Sequence, residues 1–340
     1  MSNPYVSVLM PIYNAAETLP ETIDSLLKQS MPDFEIVAIN DGSTDDTAAI
    51  LQARAEEDNR IRPINLPHVG LIEALNHGLG VCRGELVARM DADDLAHPRR
   101  LELQTEKMRT CPRLSVISCL VDTFPAETVT EGFNRYIEWL NALTTPAEIR
   151  REIFIESPLP HPSVMLRRTE LVNMGGYEDH GWAEDYDLWL RYNQAGRPMA
   201  KLQQTLLHWR DHPERSTRTD SRYSVENFLR AKAHYLVRGP ITDRNAIIIW
   251  GAGQMGRRIS KHLIRAGAPV LAFLDIDEGK IGRTLRGHTI HSVDELPHLW
   301  KQHTNPLVLA AVGSRGARKL IRARMQSWGF TEMEDFWCVA

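Results

Sequence analysis

Short runs of β-branched and other apolar residues alternate along this chain with stretches whose apolar residues recur every three to four positions. That pattern predicts strands over 6–10 and 35–39 and helices over 17–29 and 45–55. Strand–helix alternation with short connections implies a mostly parallel sheet covered on both faces. Such sheets bind ligands beyond the carboxyl ends of their strands. Three polar tips are therefore expected at one edge: Pro11-Ile12-Tyr13-Asn14, Asn40-Asp41-Gly42-Ser43, and, after the apolar run 85–90, Asp91-Ala92-Asp93-Asp94. The middle of the chain, 122–160, is less regular, although Phe133, Ile137, Trp139 and Leu140 mark one amphipathic helix. Farther on, 163–166 and 205–209 read as strands, and 184–193 and 225–236 as helices. Gly239-Pro240 then breaks the pattern, and a fresh strand at 246–250 opens a second βα rhythm, so the expected domains are 1–239 and 240–340.

The length of 340 residues fits two domains rather than one. With 43% hydrophobic and 25% charged residues, each can bury a core. A formal net charge of −4 provides no global attraction to nucleic acid. Cys82, Cys111, Cys119 and Cys338 form neither a CxxC pair nor a metal-ligand cluster, which fits a reducing cytoplasm. No leader pattern and no run of about 18 apolar residues occurs, so neither secretion nor a membrane span is expected. The Arg-rich stretch from Arg210 to Arg238 alternates in sign, as a solvated helix face does. Peripheral contact with the inner face of a membrane is a minor alternative.

The run Asp91-Ala92-Asp93-Asp94 places three carboxylates within four residues, where mutual repulsion asks for a cation or for nearby donors. A hard divalent ion, Mg²⁺ or Mn²⁺, suits such a cluster, and a solvated acidic turn is the competing reading. In the second tip, Ser43 and Asp46 have the spacing of a capping box. That leaves Asp41, a strand-end carboxylate before glycine, able to accept from a nucleoside ring N–H or hydroxyl. Tyr13 offers either an aromatic face for a base or ordinary packing.

Taken in order and spacing, 6–14, Asn40-Asp41-Gly42-Ser43-Thr44-Asp45 and Asp91-Ala92-Asp93-Asp94 resemble the family 2 glycosyltransferases, which have a GT-A fold. His161-Pro162-Ser163, Gly175-Gly176-Tyr177 and Ala183-Glu184-Asp185-Tyr186-Asp187 resemble that family's acceptor side, and Trp209-Arg210-Asp211-His212 through Ser216 its closing loop. The resemblance covers about residues 5–235. It implies an inverting transfer from a nucleotide-diphosphate sugar, a UDP-sugar first, to a hydroxyl of a glycan or lipid-linked glycan. Asp41 would contact the base, Pro11 and Tyr13 line its pocket, Asp91 face the ribose, Asp93 and His212 bind the metal, and Asp185 act as catalytic base. Glu184 and Asp187 read either as exposed helix residues or as carboxylates that raise the Asp185 pKa. Asn40 stands where the family often has a second aspartate. A Gln-x-x-Arg-Trp segment is absent, which implies addition of one or a few sugars rather than processive synthesis.

The second rhythm carries Gly251-Ala252-Gly253-Gln254-Met255-Gly256 between a predicted strand and helix, with Asp275 ending the next apolar run. This is the pattern of a nucleotide-binding turn in which Gly251, Gly253 and Gly256 allow a pyrophosphate to approach and Asp275 meets a ribose. It resembles the small Rossmann-like nucleotide-sugar-binding domains attached to some sugar-modifying enzymes. About 100 residues leave little room for a dinucleotide site, so an accessory domain is expected. An NAD(P)-dependent oxidoreductase and a nucleotide-sensing protein are the rival functions. The former lacks an evident catalytic acid or base after the turn.

Overall fold

The computed structural model describes residues 3–340, apart from the side chain of Ser216. The chain divides into two compact units. The first comprises 3–149, Pro158–His180 and Glu184–Thr219, and the second Arg150–Ser157, Gly181–Ala183 and Asp220–Ala340. The division at 219/220 precedes the expected break at 240. The cause is the helix at 225–237, whose Glu226 pairs with Lys261 at 2.6 Å and with His262 at 3.0 Å in the second unit.

In chain order the first unit holds β1 (Val6–Ile12), α1 (Leu19–Leu27), β2 (Phe34–Asp41), α2 (Thr47–Glu57), β3 (Ile61–Leu66), α3 (Leu71–Val81), β4 (Leu86–Arg89) and β5 (Leu95–Ala96). There follow α4 (Arg100–Thr110), β6 (Val116–Phe124), α5 (Glu131–Asn141), α6 (Pro146–Glu152), whose last three residues belong to the second unit, β7 (Met165–Arg167), α7 (Arg168–Asn173), α8 (Glu184–Gln194), β8 (Met199–Arg210) and α9 (Ser216–Thr219). The eight strands form one sheet in the order β3-β2-β1-β4-β7-β6-β8-β5. Pairing is parallel from β3 through β4, as the early βα rhythm requires, and mixed beyond, where β7 runs antiparallel to both β4 and β6. Every residue of β1 is buried, because helices cover both faces of a parallel strand. Its one hydroxyl is satisfied internally, with Ser7 Oγ donating to Glu35 Oε1 at 2.7 Å.

The strand expected at 205–209 begins earlier, at Met199. The run Lys201–Gln204 gives no strand pattern of its own; Lys201 and Leu202 are extended because they pair with Ser118 and Cys119 of β6, and Gln203 and Gln204 fall at a register shift before Thr205 pairs with Leu120. Lys201 is buried there with its ammonium on Leu140 O, and burial pushes that group down to about 7.

The second unit contains α10 (Val225–Val237), β9 (Ala246–Trp250), α11 (Gln254–Arg265), β10 (Val270–Asp275), β11 (Thr284–Leu285), β12 (His288–Ser292), α12 (Leu296–Lys301), β13 (Pro306–Ala310), α13 (Ala317–Ser327) and β14 (Phe336–Cys338). Its six strands are ordered β11-β12-β10-β9-β13-β14, parallel except for the β11–β12 hairpin. This is the Rossmann-like arrangement expected from the glycine-rich turn. All four cysteines are free thiols. Among the described residues no helix is long and apolar enough to cross a membrane.

Candidate active site

The tips of β1 and β2 are laced together. Asn14, held at φ 49°, donates its N–H to Ser43 Oγ at 2.9 Å and accepts from Thr44 N at 2.8 Å. Ala15 N donates to Thr47 Oγ1 at 2.9 Å, and Ala16 N to Asp45 Oδ2 at 3.0 Å. The Ser43–Asp46 capping box does not form. Asp46 is the N-cap and makes no side-chain cap bond, while Ser43 is spent on the neighbouring loop. Gly42, at φ 69°, lies so close to His68 that a Cβ would sit 2.5 Å from its backbone nitrogen.

Asp41 is only 4% exposed, and its oxygens accept from Val69 N at 2.7 Å and Gly70 N at 2.9 Å, at the entry to α3. The carboxylate first anchors this loop, and a nucleoside donor has only its remaining lone pairs. Tyr13 is not packed away. It is 49% exposed and stacks on His68 with centroids 4.3 Å apart, so two rings present a flat face beside Asp41. His68 had no marker in the sequence. Pro11 is buried within β1, opposite Ile39 of β2.

At the third tip Arg89, fully buried, pairs with Asp91. Ligand-competent oxygens of Asp91, Asp93 and Asp94 lie within 4.8 Å of one another. Asp94 is the member that the sequence did not single out. It is completely buried, one oxygen accepts from Arg210 N at 2.8 Å, and Oδ2 has no hydrogen-bond partner. Burial and the Asp93 and Asp91 charges push its carboxyl well above the usual range. The ladder between β5 and β8 brings the far end of the unit to this cluster, pairing Leu95 with His208 and Ala96 with Leu207. Arg210 Nε then donates to Asp93 O at 2.6 Å, and His212 Nε2 lies 3.0 Å from Asp93 Oδ2, across 119 positions of sequence.

His212 sits in a braced loop. Asp211, buried, receives Arg218 Nη2 at 2.8 Å and Arg215 Nη1 at 3.5 Å, and Arg218 Nη1 donates to His212 O at 2.9 Å. The Arg215 guanidinium lies 4.3 Å from the Trp209 ring and 5.0 Å from the Phe133 ring of α5.

On the acceptor side, Glu184 and Asp187 are buried rather than exposed. Asp187 binds Arg191 Nε at 2.7 Å, and Arg191 Nη2 reaches Gly176 O at 2.8 Å, so this pair supports the Gly175-Gly176 turn. Glu184 faces His161 Nδ1 at 3.5 Å, and His161 Nε2 lies 3.1 Å from the Tyr177 hydroxyl. Burial, then the Arg89 charge, hold His161 below its ordinary pKa. Asp185 occupies the first turn of α8, half-buried, one oxygen accepting from Tyr186 N at 2.6 Å.

The second-unit residues divide. Asp275 Oδ2 accepts from Ala252 N at 2.9 Å and meets Lys280 Nζ at 3.2 Å, while Oδ1 accepts from Asp277 N at 3.0 Å. Burial opposes its charge, and these bonds still hold its pKa below the usual carboxylate value. Asp275 thus braces the turn, which leaves little of it for a ribose. Gly251 and Gly256 are required by packing, since a Cβ on Gly256 would lie 1.8 Å from Gly251 O.

Comparison with known proteins bears on the family and the fold. The pattern of the family described as Glycosyl transferase family 2 matches residues 7–174. The chain is 33% identical to EpsE of Bacillus subtilis (strain 168) over 66% of its own length and 80% of that protein's. It is 28% identical to the UDP-Gal:alpha-D-GlcNAc-diphosphoundecaprenol beta-1,3-galactosyltransferase of Escherichia coli, covering 72% of this chain and 88% of that one. Among solved structures, TarS 1-349 of S. aureus in complex with UDP-GlcNAc superposes with a TM-score of 0.57 at 19% identity, covering 76% of this chain and 72% of that one, which is a likeness of fold. With a parallel-to-mixed GT-A-like sheet, clustered carboxylates at its strand ends and relatives of this length and identity, the chain belongs to glycosyltransferase family 2.

Proposed function

We propose that this glycosyltransferase is metal-dependent and inverting, and that it adds one or a few sugars from a UDP-sugar to a hydroxyl of a glycan or lipid-linked glycan in cell-surface polysaccharide or oligosaccharide assembly. The observation that carries the reading is the meeting of His212 with Asp93 beside a buried Asp94 whose Oδ2 has no partner. Three carboxylates and one imidazole suit Mn²⁺ or Mg²⁺, and an orphaned buried oxygen is what a cation site presents. Asp93, His212 and Asp94 would hold the ion, which when bound offsets charge on the donor diphosphate. The Tyr13–His68 face would take the base, with Asp41 holding the loop behind it and Pro11 shaping the tip. Asp91, fixed by Arg89, would meet the ribose. Asp185 would remove the proton from the acceptor hydroxyl as the oxygen attacks the anomeric carbon from the face opposite the leaving group, which inverts that carbon. The buried Glu184–His161–Tyr177 group would set the position of the α8 turn that carries Asp185. This work is done in the cytoplasm, with peripheral contact at the membrane where a lipid-linked acceptor is used.

A melting series against UDP-, GDP-, dTDP- and CMP-sugars and NAD(H), with and without Mn²⁺, tests the reading. A Mn²⁺-dependent upward shift with one sugar nucleotide, lost in Asp93→Ala, is expected. A metal-independent shift with NAD(H) alone would transfer the function to the second unit.

A further inference from the structure

The second unit holds two cations that the transferase reading does not use. In its sheet the chain works outward from β9, to β10 and β12 on one side and to β13 and β14 on the other. The loops after β9 and β13 therefore part at the point where a doubly wound sheet opens its ligand crevice. Packing explains Gly251, whose φ is 122° and whose Cβ would lie 2.8 Å from Ala311 O, and it explains Gly256. It does not explain Gly253, which has an ordinary φ of −81° and nothing within 4 Å of the point where a Cβ would sit. The absent side chain leaves the start of α11 open to approach.

Over α13 lies a cavity of about 610 Å³ lined by Gly313, Ser314, Arg315, Arg318, Lys319 and Arg322. That volume falls within the roughly 300–1,000 Å³ of small-molecule sites and exceeds what a lone phosphate fills. Val312 and Gly313, also in its wall, abut Gly251 and Met255, so the cavity adjoins the glycine-rich turn. Its four cations are not equivalent. Arg318 and Arg322 are answered by Glu152 at 3.2 and 2.6 Å, and Arg322 by Glu332 at 2.8 Å. Arg315 and Lys319 have no carboxylate partner among the described residues.

We propose that this cavity binds a diphosphate group, carried by a nucleoside diphosphate or supplied as free pyrophosphate, with Arg315 and Lys319 as its charge partners and Gly253 as the open side. This places the ligand on the β13 side of the crevice, away from Asp275, whose oxygens are committed to the turn. The inference uses no residue of the first unit and stands or falls apart from the transferase reading.

Hydrogen–deuterium exchange on the full chain tests it, in EDTA, with UDP, GDP and inorganic pyrophosphate, on wild type, Asp93→Ala, Gly253→Val and the double variant Arg315→Ala/Lys319→Ala. Saturable protection of amides in 312–323 is expected in wild type and Asp93→Ala. The double variant should need roughly tenfold more ligand or beyond, since charge-assisted contacts to an anion are the strong ones. Both cations are exposed and unpaired by carboxylates, so its melting temperature should be unchanged. Gly253→Val should weaken protection at unchanged stability. Nucleoside diphosphates binding tenfold tighter than pyrophosphate identify a nucleotide as the source, and equal affinities identify free pyrophosphate. Absence of protection in 312–323 with all three ligands, or protection unaltered in the double variant, overturns the proposal.

Discussion

Arg215 lies outside the proposed metal ligands, yet it should control how strongly the protein holds its cation. Its guanidinium lies against the Trp209 and Phe133 rings, which touch each other with centroids 5.5 Å apart, and leans on buried Asp211, the residue before His212. A desolvated cation–π contact of this kind is worth about 2 kcal/mol. In Arg215→Ala that hold is lost, while Asp211 keeps Arg218 as a partner. If the brace exists to keep His212 on Asp93, losing about 2 kcal/mol of it corresponds to about a thirtyfold weaker cation grip. The assay is release of nucleoside diphosphate from a UDP-sugar as Mn²⁺ is titrated. The half-activating concentration should rise by about that factor, with turnover at saturating Mn²⁺ little changed. Arg215→Lys keeps a cation beside Asp211 but not a flat one, and should fall between. A half-activating concentration within about twofold of wild type, accompanied by a lowered melting temperature, would refute the reasoning: the Arg215 contacts would then serve the fold and not the ion.

Asp185→Asn should lower turnover about 10²–10⁴-fold with donor affinity intact; a parallel loss of donor binding, measured by calorimetry, would remove Asp185 from the role of base. Burial holds Lys201 at about 7 against an ordinary 10.5, so between those values the unfolded chain binds a proton that the folded chain does not, and stability should climb as pH rises. The slope approaches about 1.4 kcal/mol per pH unit, or about 2 kcal/mol between pH 7.5 and 9.0. Urea melts should show that gap narrowing in Lys201→Met, and parallel pH curves for the two proteins would contradict it. Gly256→Ala should cost about 1–3 kcal/mol or more, because the new Cβ meets backbone. Gly253→Ala should stay within about 0.5 kcal/mol, and equal melting temperatures for the two variants would show that the turn tolerates both.

Much of the site was legible because its residues lie at strand ends, where alternation of strands and helices already tells which edge binds. Asp91 and Asp93 declared themselves as a carboxylate run, and the family resemblance supplied His212. What no local pattern carries is which carboxylate is sealed in. Asp94 differs from its neighbours only because Arg210 N, 116 positions away, comes to rest on it. His68 was illegible for a similar reason: a loop histidine has no signature until Tyr13 is seen stacked upon it. The capping box failed because Asn14 competes for the Ser43 hydroxyl and wins. Lys201 and Leu202 gave no strand signal because their extended form is imposed by pairing with β6. For Glu184 and Asp187 the sequence allowed an exposed helix face or an influence on Asp185, and only their burial beside His161 and Arg191 removes the first.

The two-residue β5 has a consequence for how this protein comes into being. β1, β2 and β4 pair through neighbouring βα units and can settle while the chain is still emerging from the ribosome. The grip on a cation cannot. Asp93 and Asp94 wait for a strand that ends at Arg210, and only when β8 slots between β6 and β5 does His212 arrive. Closure across so long a stretch is the slow kind of event in folding. If Asp93, Asp94 and His212 hold the ion as proposed, a nascent or misassembled transferase would be blind to metal, and cation affinity would double as a certificate that the first unit has finished folding.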